Sequence, residues 1–310
     1  MKLTGVILAA GKGVRMRPFS DHYPKPILPI CNKPILAYQI EAMKKLGIEK
    51  ILIVVGHLGY KIVDALGDGS CYGIKIEYVD QGETLGIAHA LYKLENKINT
   101  SFLLFLGDIF FITRDLNQMV DTFQGEEISG VLATKEEKDV EAISRNFSVT
   151  LDDEGYVSRL IEKPKYVKNN LKGCGIYLFG LDIFDALRRT PRTAMRDEYE
   201  ITDAIQIMID DGRKVVCSNI IDDDINLTYP DDLLRCNFRI LKERGVDMLV
   251  GENNRFHKNA KISSSIFGKN ITIDHECTIT NSIIFDGVDL SPKLTKLDNV
   301  IITPFQEIHC

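Results

Sequence analysis

The sequence predicts an α/β protein with an open, mostly parallel, Rossmann-like sheet and a short C-terminal left-handed parallel β-helix. Strand-like apolar segments alternate with helix-like segments up to about residue 134, which indicates a parallel sheet covered on both faces. Beyond Gly245, apolar residues recur mostly at intervals of six, a pattern typical of a parallel β-helix. We therefore expect two domains, residues 1–245 and residues 246–310.

The first domain contains four apolar segments of strand type, at residues 4–9, 51–55, 74–79 and 102–106. Right-handed crossovers stack such strands into an open parallel sheet, and open sheets bind ligands at the carboxyl ends of their strands. A glycine-rich loop follows the first of these strands, and Asp108 follows the fourth. These residues are therefore candidates for a binding site.

Helices and antiparallel strands complete the first domain. A mostly apolar stripe that includes Gln39 predicts a helix up to Gly47, with Asn32 as its N-cap. Shorter helices are predicted at residues 60–66 and 85–94. Residues 152–155 form a predicted hairpin turn between strands 147–151 and 156–161. Further helices are predicted at residues 182–187, 201–211 and 230–244.

The tail carries its six-residue repeat in two runs separated by a step of five. The repeating residues are Val250, Phe256, Ile262, Phe267, Ile273, Ile279 and Phe285. Two to three short coils fit this length, and their open ends would carry unpaired strand edges. We therefore expect an oligomerisation appendage and a homo-oligomer. A β-helix acyltransferase is the alternative, and the small number of coils counts against it.

Composition excludes several classes of function. The chain has 44 acidic and 38 basic residues, and the net charge of -6 argues against nucleic acid or an anionic membrane as partner. No apolar run approaches the ~20 residues of a membrane span, and the amino terminus lacks a signal-peptide pattern. The seven cysteines include no Cys-x-x-Cys pair, which favours free thiols in a reducing compartment. We expect a cytoplasmic protein.

The loop after the first strand has the properties of an anion site. Gly11 and Gly13 let the backbone turn its N–H groups toward one point, and Arg15 and Lys25 add cationic charge. The loop lacks the third glycine of a dinucleotide-binding loop and the Gly-Lys-Ser/Thr ending of a P-loop. Two glycines alone would also fit a tight turn without a ligand. The combination with Arg15, Pro18 and Pro24-Lys25-Pro26 is more specific.

This combination resembles the signature of the sugar-1-phosphate nucleotidyltransferases, and within them the thymidylyltransferases with a long, β-helical tail. The resemblance extends over residues 1–240, with motifs in the family's order. It implies a Mg²⁺-dependent transfer from dTTP or UTP to glucose 1-phosphate or a related hexose 1-phosphate, with release of pyrophosphate. A sugar-phosphate oxygen would attack the α-phosphorus, so alignment and charge neutralisation do most of the work.

The resemblance also implies roles for individual residues around the nucleotide. Arg15 would clamp the β and γ phosphates, Lys25 the α-phosphate region, and Lys163 the attacking sugar phosphate. Gln81 would read the pyrimidine edge, because an amide both donates and accepts hydrogen bonds. The backbone at Gly86 would lie against the base. The other implied nucleotide-binding residues are Leu8, Ala10, Gly11 and Gly13.

On the sugar side, Glu162 in Glu162-Lys163-Pro164 would bind sugar hydroxyls, and Glu200-Ile201-Thr202-Asp203 would start a helix that shapes the same side. The other implied sugar-binding residues are Gly107, Ser148, Gly175 and Tyr177. Asp108 and Asn226 match the metal-binding positions, and Mg²⁺ prefers such oxygen donors. A strand-ending turn is the plain alternative for Asp108.

Three positions depart from the family's pattern. Val14 stands where the family usually has Thr or Ser, Ser148 where it has Gly, and Asn226 where thymidylyltransferases have Asp. These departures leave the reaction class intact but leave open the sugar and, to a smaller extent, the base. A catalytically inactive relative that senses nucleotide sugars is the alternative function. Val14 favours it, and Arg15 and Lys163 count against it.

Overall fold

The computed structural model describes residues 1–125, 127–194 and 196–310. The chain divides into two compact units. The first unit comprises Met1–Lys12 and Leu36–Asp224, and the second comprises Gly13–Ile35 and Ile225–Cys310. The second unit thus contains the predicted tail together with the last helix and the segment that follows the glycine-rich loop.

Thirteen strands precede the tail in the described part of the chain. They are β1 (Thr4–Ala9), β2 (Pro29–Ile30), β3 (Lys33–Pro34), β4 (Lys50–Val55), β5 (Lys75–Asp80), β6 (Phe102–Leu106), β7 (Ile109–Thr113), β8 (Ile128–Glu136), β9 (Phe147–Leu151), β10 (Val157–Glu162), β11 (Leu171–Phe179), β12 (Lys214–Ser218) and β13 (Ile221–Asn226).

Nine of these strands form one mixed sheet in the first unit, in the order β10-β9-β11-β6-β1-β4-β5, with β8 pairing with β11 and β12. Strands β6, β1, β4 and β5 are parallel, and β11 runs antiparallel to β6. The hairpin β9–β10 is antiparallel, as predicted. The predicted Rossmann-like parallel core and its change to antiparallel strands are therefore confirmed.

The described residues form eight α-helices. They are α1 (Ile35–Lys45), α2 (Gly59–Leu66), α3 (Ile87–Tyr92), α4 (Asn117–Phe123), α5 (Val140–Ser144), α6 (Ile183–Arg189), α7 (Ile201–Asp210) and α8 (Pro230–Glu243). Helices α3, α6 and α7 bury Leu91, Ile183 and Ile205 in the core that also contains Val6 and Leu104 of the sheet. Among the described residues, no helix is both long and apolar enough to span a membrane.

The predicted N-cap at Asn32 is wrong. Asn32 and Cys31 form the two-residue turn of the hairpin β2–β3, with φ of 61° and 49°. Such turns require positive φ at both positions, which asparagine tolerates better than most residues. The Asn32 side chain donates to the carbonyl oxygen of Phe267 at 2.7 Å instead of capping a helix. Helix α1 begins after the hairpin, at Ile35.

The tail consists of ten short strands. They are β14 (Leu249–Val250), β15 (Arg255–Phe256), β16 (Lys261–Ser263), β17 (Ile266–Phe267), β18 (Thr272–Ile273), β19 (Thr278–Thr280), β20 (Ile283–Ile284), β21 (Lys296–Asp298), β22 (Val300–Ile302) and β23 (Glu307–His309). Three small sheets contain them: β14-β17-β20-β22-β23, β15-β18 and β16-β19-β21.

All pairings in these three sheets are parallel except that of β22 with β23. Leu249 pairs with Ile266, and Ile266 pairs with Ile283. Phe267 and Ile279 of the six-residue repeat are fully buried between the sheets, whereas Val250 in the first strand is 40% exposed. Six of the seven repeating residues therefore lie in strands, and Phe285 directly follows β20. Phe267 and Ile279 lie in strands that pair on both sides, whereas Val250 lies in the outermost strand of its sheet.

Candidate functional site

The carboxyl ends of four parallel strands lie side by side in the first unit. Leu8 of β1 pairs with Leu106 of β6 and with Val54 of β4, and Val55 pairs with Asp80 of β5. The predicted site residues that directly follow these strands are Ala10, Gly11, Gln81, Gly107 and Asp108. The structure thus brings them to one sheet edge, where open α/β sheets bind ligands.

The turn that carries Gly107 and Asp108 is held from two sides. The Gly107 N–H donates to the Leu8 carbonyl oxygen at 2.9 Å, and a Cβ on Gly107 would lie 2.9 Å from that oxygen. Buried Gln39 donates from Nε2 to the carbonyl oxygens of Leu106 at 2.9 Å and Ile109 at 3.0 Å. The sequence predicts Gln39 only as part of the mostly apolar stripe of a helix, because a contact so far along the chain leaves no local signal.

The segment that contains Gln81 and Gly86, which is predicted to bind the base, is hydrogen-bonded to Tyr199, the residue before Glu200. Gln81 is 3% exposed. Gly86 has a φ of 107°, and a Cβ there would lie 2.5 Å from the Tyr199 carbonyl oxygen, so only glycine fits. The Tyr199 N–H donates to the Leu85 carbonyl oxygen at 2.8 Å. The structure therefore joins the base-reading and Glu-Ile-Thr-Asp motifs, which lie far apart in sequence.

A cluster of four charged groups forms at the end of β10. Nη1 of Arg196 lies 3.3 Å from Glu162 Oε1 and 2.9 Å from Glu200 Oε1. Nζ of Lys163 lies 3.7 Å from Glu162 Oε1. Burial raises the pKa of Glu162 above its ordinary value, and Lys163 and Arg196 oppose this shift. Arg196 is not predicted from the sequence, because it lies in the loop before α7, where helical spacing does not apply.

Lys163 occupies a strained backbone conformation. Its φ is 45°, in the left-handed region that favours glycine. Its N–H donates to the Asn146 carbonyl oxygen at 2.7 Å, which holds this conformation in place. Such a residue costs on the order of 1–3 kcal/mol and is typical of active sites, where the side chain must have a fixed direction.

The predicted sugar-binding residues lie on both faces of the sheet. Ser148 pairs with Ile161 on one side and Lys172 on the other, whereas Glu162 pairs with Phe147. Because neighbouring residues on a strand face opposite ways, the Ser148 side chain and the Glu162 side chain point to opposite faces. Ser148 is 6% exposed, in a row with buried Lys172.

Gly175 and Tyr177 lie on β11 where its pairing with β8 shifts register. Gly175 has a φ of 69°, and a Cβ there would lie 3.0 Å from the Leu106 side chain. Tyr177 is 1% exposed and stacks on Phe147, with 6.2 Å between ring centroids. Burial and the nearby Glu162 raise the pKa of Tyr177 well above its usual range. Tyr177 thus lies in the core beside Glu162.

The second unit holds the two predicted cations of the glycine-rich loop, within a stretch that we call the cationic segment (residues 13–35). A Cβ on Gly13 would lie 3.1 Å from Lys25 Cγ, so the stem of Lys25 runs along Gly13. Lys25 is 6% exposed. Arg15 is exposed within a single turn of 3-10 helix, which buried Met16 anchors. Val14 in the same turn is 56% exposed.

Asn226 lies at the end of β13, in the second unit. Its Oδ1 is buried and has no hydrogen-bond partner among the described residues. Buried polar atoms are normally paired, so an unpaired amide oxygen suits a ligand that supplies positive charge. Oxygen donors of this type are those that Mg²⁺ prefers.

A buried ionic network holds the preceding part of β13 in the first unit. Lys172 Nζ lies 2.6 Å from Asp224 Oδ1, and the two side chains are 3% and 2% exposed. Glu137 lies 3.6 Å from Lys172, and Lys135 lies 2.8 Å from Asp223. This network is not predictable from the sequence, since no local pattern links β8, β11 and β13.

A family model described as nucleotidyl transferase matches residues 4–225, and the chain belongs to this family. Glucose-1-phosphate thymidylyltransferase of Streptomyces griseus is 32% identical over 314 residues, which cover 99% of this chain and 82% of the relative. UTP–glucose-1-phosphate uridylyltransferase AglF of Haloferax volcanii is 34% identical over 241 residues, which cover 78% of this chain and 98% of the relative.

A solved structure described as UDP-glucose pyrophosphorylase complexed with UDP-glucose has the same fold. Its TM-score is 0.69 at 24% identity, and the match covers 79% of this chain and 100% of that chain. The predicted membership of the sugar-1-phosphate nucleotidyltransferases is confirmed by these relatives. Enzymes of this class join a nucleoside triphosphate to a sugar 1-phosphate and release pyrophosphate, and this chain is one of them.

Glu162→Gln is expected to stabilise the fold at neutral pH and to weaken sugar binding. Because the pKa of Glu162 is raised above 4.5 in the folded protein, its ionisation opposes folding as pH rises from about that value. The variant should therefore unfold at a higher urea concentration than the parent at pH 7 but not at pH 4. Glu162 is the predicted acceptor of sugar hydroxyls, so the loss of its charge should also raise the KM for sugar 1-phosphate about tenfold or more.

The matched control for this prediction is Glu154→Gln, in the exposed hairpin turn between β9 and β10. This variant removes the same charge without changing a buried group, so its stability and KM should stay at the parental values at both pH values. If Glu162→Gln and the parent had the same free energy of unfolding at pH 7, ionisation of Glu162 would not destabilise the folded protein.

Proposed function

We propose that the protein transfers the nucleotidyl group of dTTP or UTP to glucose 1-phosphate or a related hexose 1-phosphate, in the cytoplasm. The observation that carries this proposal is that two adjacent residues, Tyr199 and Glu200, contact two different predicted parts of the site. Tyr199 holds the backbone beside Gly86, and Glu200 shares Arg196 with Glu162. One short stretch therefore fixes both the candidate base-reading segment and the candidate sugar-reading carboxylate. The relatives include both a thymidylyltransferase and a uridylyltransferase, so we propose either dTTP or UTP as the nucleotide substrate.

The residues would divide the work by charge. Arg15 and Lys25 bind the phosphates of the nucleotide, and Lys163 orients the sugar phosphate for attack on the α-phosphorus. Gln81 and Gly86 bind the base, with the backbone of Leu8, Ala10, Gly11 and Gly13 around the phosphates. Glu162 accepts from sugar hydroxyls, while Gly107 and Gly175 line the sugar side and Tyr177 packs behind it. The Ser148 side chain faces away from Glu162, so Ser148 would contribute to sugar binding only through its backbone. No protein nucleophile is needed, since the sugar phosphate is itself the nucleophile.

Mg²⁺ is the cofactor that the candidate ligands fit. Asp108 offers a half-buried carboxylate after β6, and Asn226 offers the unpaired buried Oδ1. One or two such oxygen ligands, with water and phosphates, are typical of Mg²⁺ sites. When bound, the metal neutralises charge on the phosphates.

The amide at Asn226 predicts that Mg²⁺ binds weakly to the free protein and much more tightly in the presence of nucleotide. An amide contributes no charge, so the phosphates must supply most of the attraction. Asn226→Asp should strengthen Mg²⁺ binding to the free protein about tenfold, because it adds one negative charge at the ligand atom. Calorimetric titration of Mg²⁺, with and without dTTP or UTP, measures both effects.

The matched control is Asn253→Asp, which adds the same charge at an exposed position of the second unit. It should leave Mg²⁺ affinity unchanged. Tight binding of Mg²⁺ to the nucleotide-free parent would contradict the assigned role of Asn226.

The parallel sheets of the tail support a short left-handed β-helix as the finer description of this segment. Strands β14 and β15 are the outermost strands of their sheets and have an unpaired edge. Val250 and Phe256 in these strands are 40% and 37% exposed. Unpaired strand edges are usually shielded in native proteins, and a second copy of the chain could shield these, which supports a homo-oligomer. Sedimentation at micromolar concentration tests this, and a monomer would contradict it.

Substrate choice is tested by pyrophosphate release from four nucleotides, each combined with several sugar phosphates, in the presence of Mg²⁺. We expect dTTP or UTP with a hexose 1-phosphate to give the highest kcat/KM. A protein that binds a nucleotide sugar but releases no pyrophosphate from any pair would instead be the inactive sensor that exposed Val14 favours.

A further inference from the structure

We propose that the C-terminal tail positions the cationic segment, and that Phe285 and Phe305 are positioning residues for the phosphate contacts of Arg15 and Lys25. This inference rests on the proposed function, because it takes the cationic segment as the part that binds nucleotide phosphates. It gives the tail a role in the chemistry of its own chain, separate from the expected role in oligomerisation.

Three aromatic residues between the two cations contact the tail. Phe19 stacks on Phe285, with 5.9 Å between ring centroids, and Tyr23 meets the same ring edge-on at 5.4 Å. His22 stacks on Phe305, with 4.5 Å between centroids and 13° between planes. Aromatic pairs in these geometries are favourable beyond the area they bury. The stretch from residue 19 to residue 23 is therefore held by two rings of the tail.

The far end of the cationic segment is also fixed on residues of the same unit. Asn237 of α8 is fully buried, and its Oδ1 accepts from the Cys31 N–H at 2.6 Å. Its Nδ2 donates to the Pro29 carbonyl oxygen at 2.9 Å. Asn32 donates to the Phe267 carbonyl oxygen at 2.7 Å. The hairpin that follows Lys25 is thus pinned, and the aromatic contacts fix the part that precedes it.

The aromatic contacts differ in what they can contribute to folding. Phe19 is fully buried and belongs to the core, whereas Phe305 is 58% exposed. A ring so exposed contributes little to stability, but its stack on His22 restricts the chain between Arg15 and Lys25. Removal of this ring should change the direction of the two cations more than it changes the free energy of unfolding.

Phe305→Ala tests the proposal by nucleotide affinity, measured calorimetrically with Mg²⁺ and dTTP or UTP on the full chain. We expect nucleotide to bind about threefold to tenfold more weakly than to the parent, the range that the loss of one aromatic pair gives. The KM for nucleotide should rise while the KM for sugar 1-phosphate stays constant. Phe305→Tyr keeps the ring, so its nucleotide affinity and its KM for nucleotide should equal those of the parent.

Phe256→Ala is the matched control, because Phe256 is a partly exposed ring of the same tail that packs on Phe267, at 5.1 Å between centroids. It should leave nucleotide affinity unchanged. Parental affinity in Phe305→Ala, or an equal loss in both alanine variants, would overturn this inference alone. A parent that binds none of the four nucleotides would overturn the proposed function as well.

Discussion

Replacing Lys172 by methionine is expected to lower the free energy of unfolding by about 3–5 kcal/mol, the range measured when one partner of a buried ion pair is removed. Lys172 and Asp224 are almost fully buried and lie 2.6 Å apart. Methionine fills the space but leaves the Asp224 carboxylate without its cation in a region of low dielectric constant. Urea unfolding at pH 7 measures the change.

The double variant Lys172→Met/Asp224→Leu separates the cost of an unpaired charge from the loss of packing. It should recover most of the lost stability, because a buried pair replaced by apolar groups of similar volume is close to neutral. Lys75→Met is the control, since Lys75 pairs with Glu77 at 2.7 Å but is 69% exposed. Such surface pairs contribute about 0–1 kcal/mol. A Lys172→Met protein as stable as Lys75→Met would contradict this account of the network.

Arg15→Ala is expected to lower kcat/KM by about 30- to 1,000-fold, equivalent to about 2–4 kcal/mol of transition-state stabilisation, as for other preorganised charge-stabilising groups. Folding should change little, because Arg15 is exposed and Met16 anchors the turn that carries it. The loss should appear with every nucleotide, since phosphates are common to all of them. Steady-state pyrophosphate release measures kcat/KM.

Arg17→Ala is the matched control in the same segment. Arg17 is an exposed cation two residues away, and its contact with Asp21 at 3.4 Å leaves it 66% exposed. It has no assigned substrate contact, so its kcat/KM should remain within about twofold of the parent, as for a surface substitution away from special features. Parental turnover by Arg15→Ala, or an equal loss in both variants, would show that the loop has been assigned the wrong role.

Much of the fold was predictable because local patterns determine it. Strands β1 and β6 have the predicted bounds: β6 is an apolar run between Ser101 and Gly107, and β1 is a mostly apolar run that ends just before the glycine-rich loop. The six-residue repeat likewise predicts strand positions in the tail. Asn32 shows the limit of such reasoning, because the residues before Ile35 fit an N-cap and a hairpin turn equally well. A contact with distant Phe267 accompanies the hairpin.

The candidate site was predictable only where a motif is continuous in sequence. Glu162 and Lys163 are adjacent, and Gly107 and Asp108 directly follow a strand. Gln39, Arg196 and Lys172 act through residues far along the chain or across strands, so no local spacing indicates them. The part that the tail contributes to the cationic segment is invisible for the same reason, because ring contacts leave no periodic signal.

The central claim is tested most directly by pyrophosphate release from the purified full chain with Mg²⁺, glucose 1-phosphate and either dTTP or UTP. Release should require both substrates, should match the amount of nucleotide sugar formed, and should fall by at least about 10²-fold in Lys163→Met, which removes the charge from the strained position. Release without sugar phosphate, or none with any nucleotide and sugar-phosphate pair, would contradict the proposed nucleotidyl transfer.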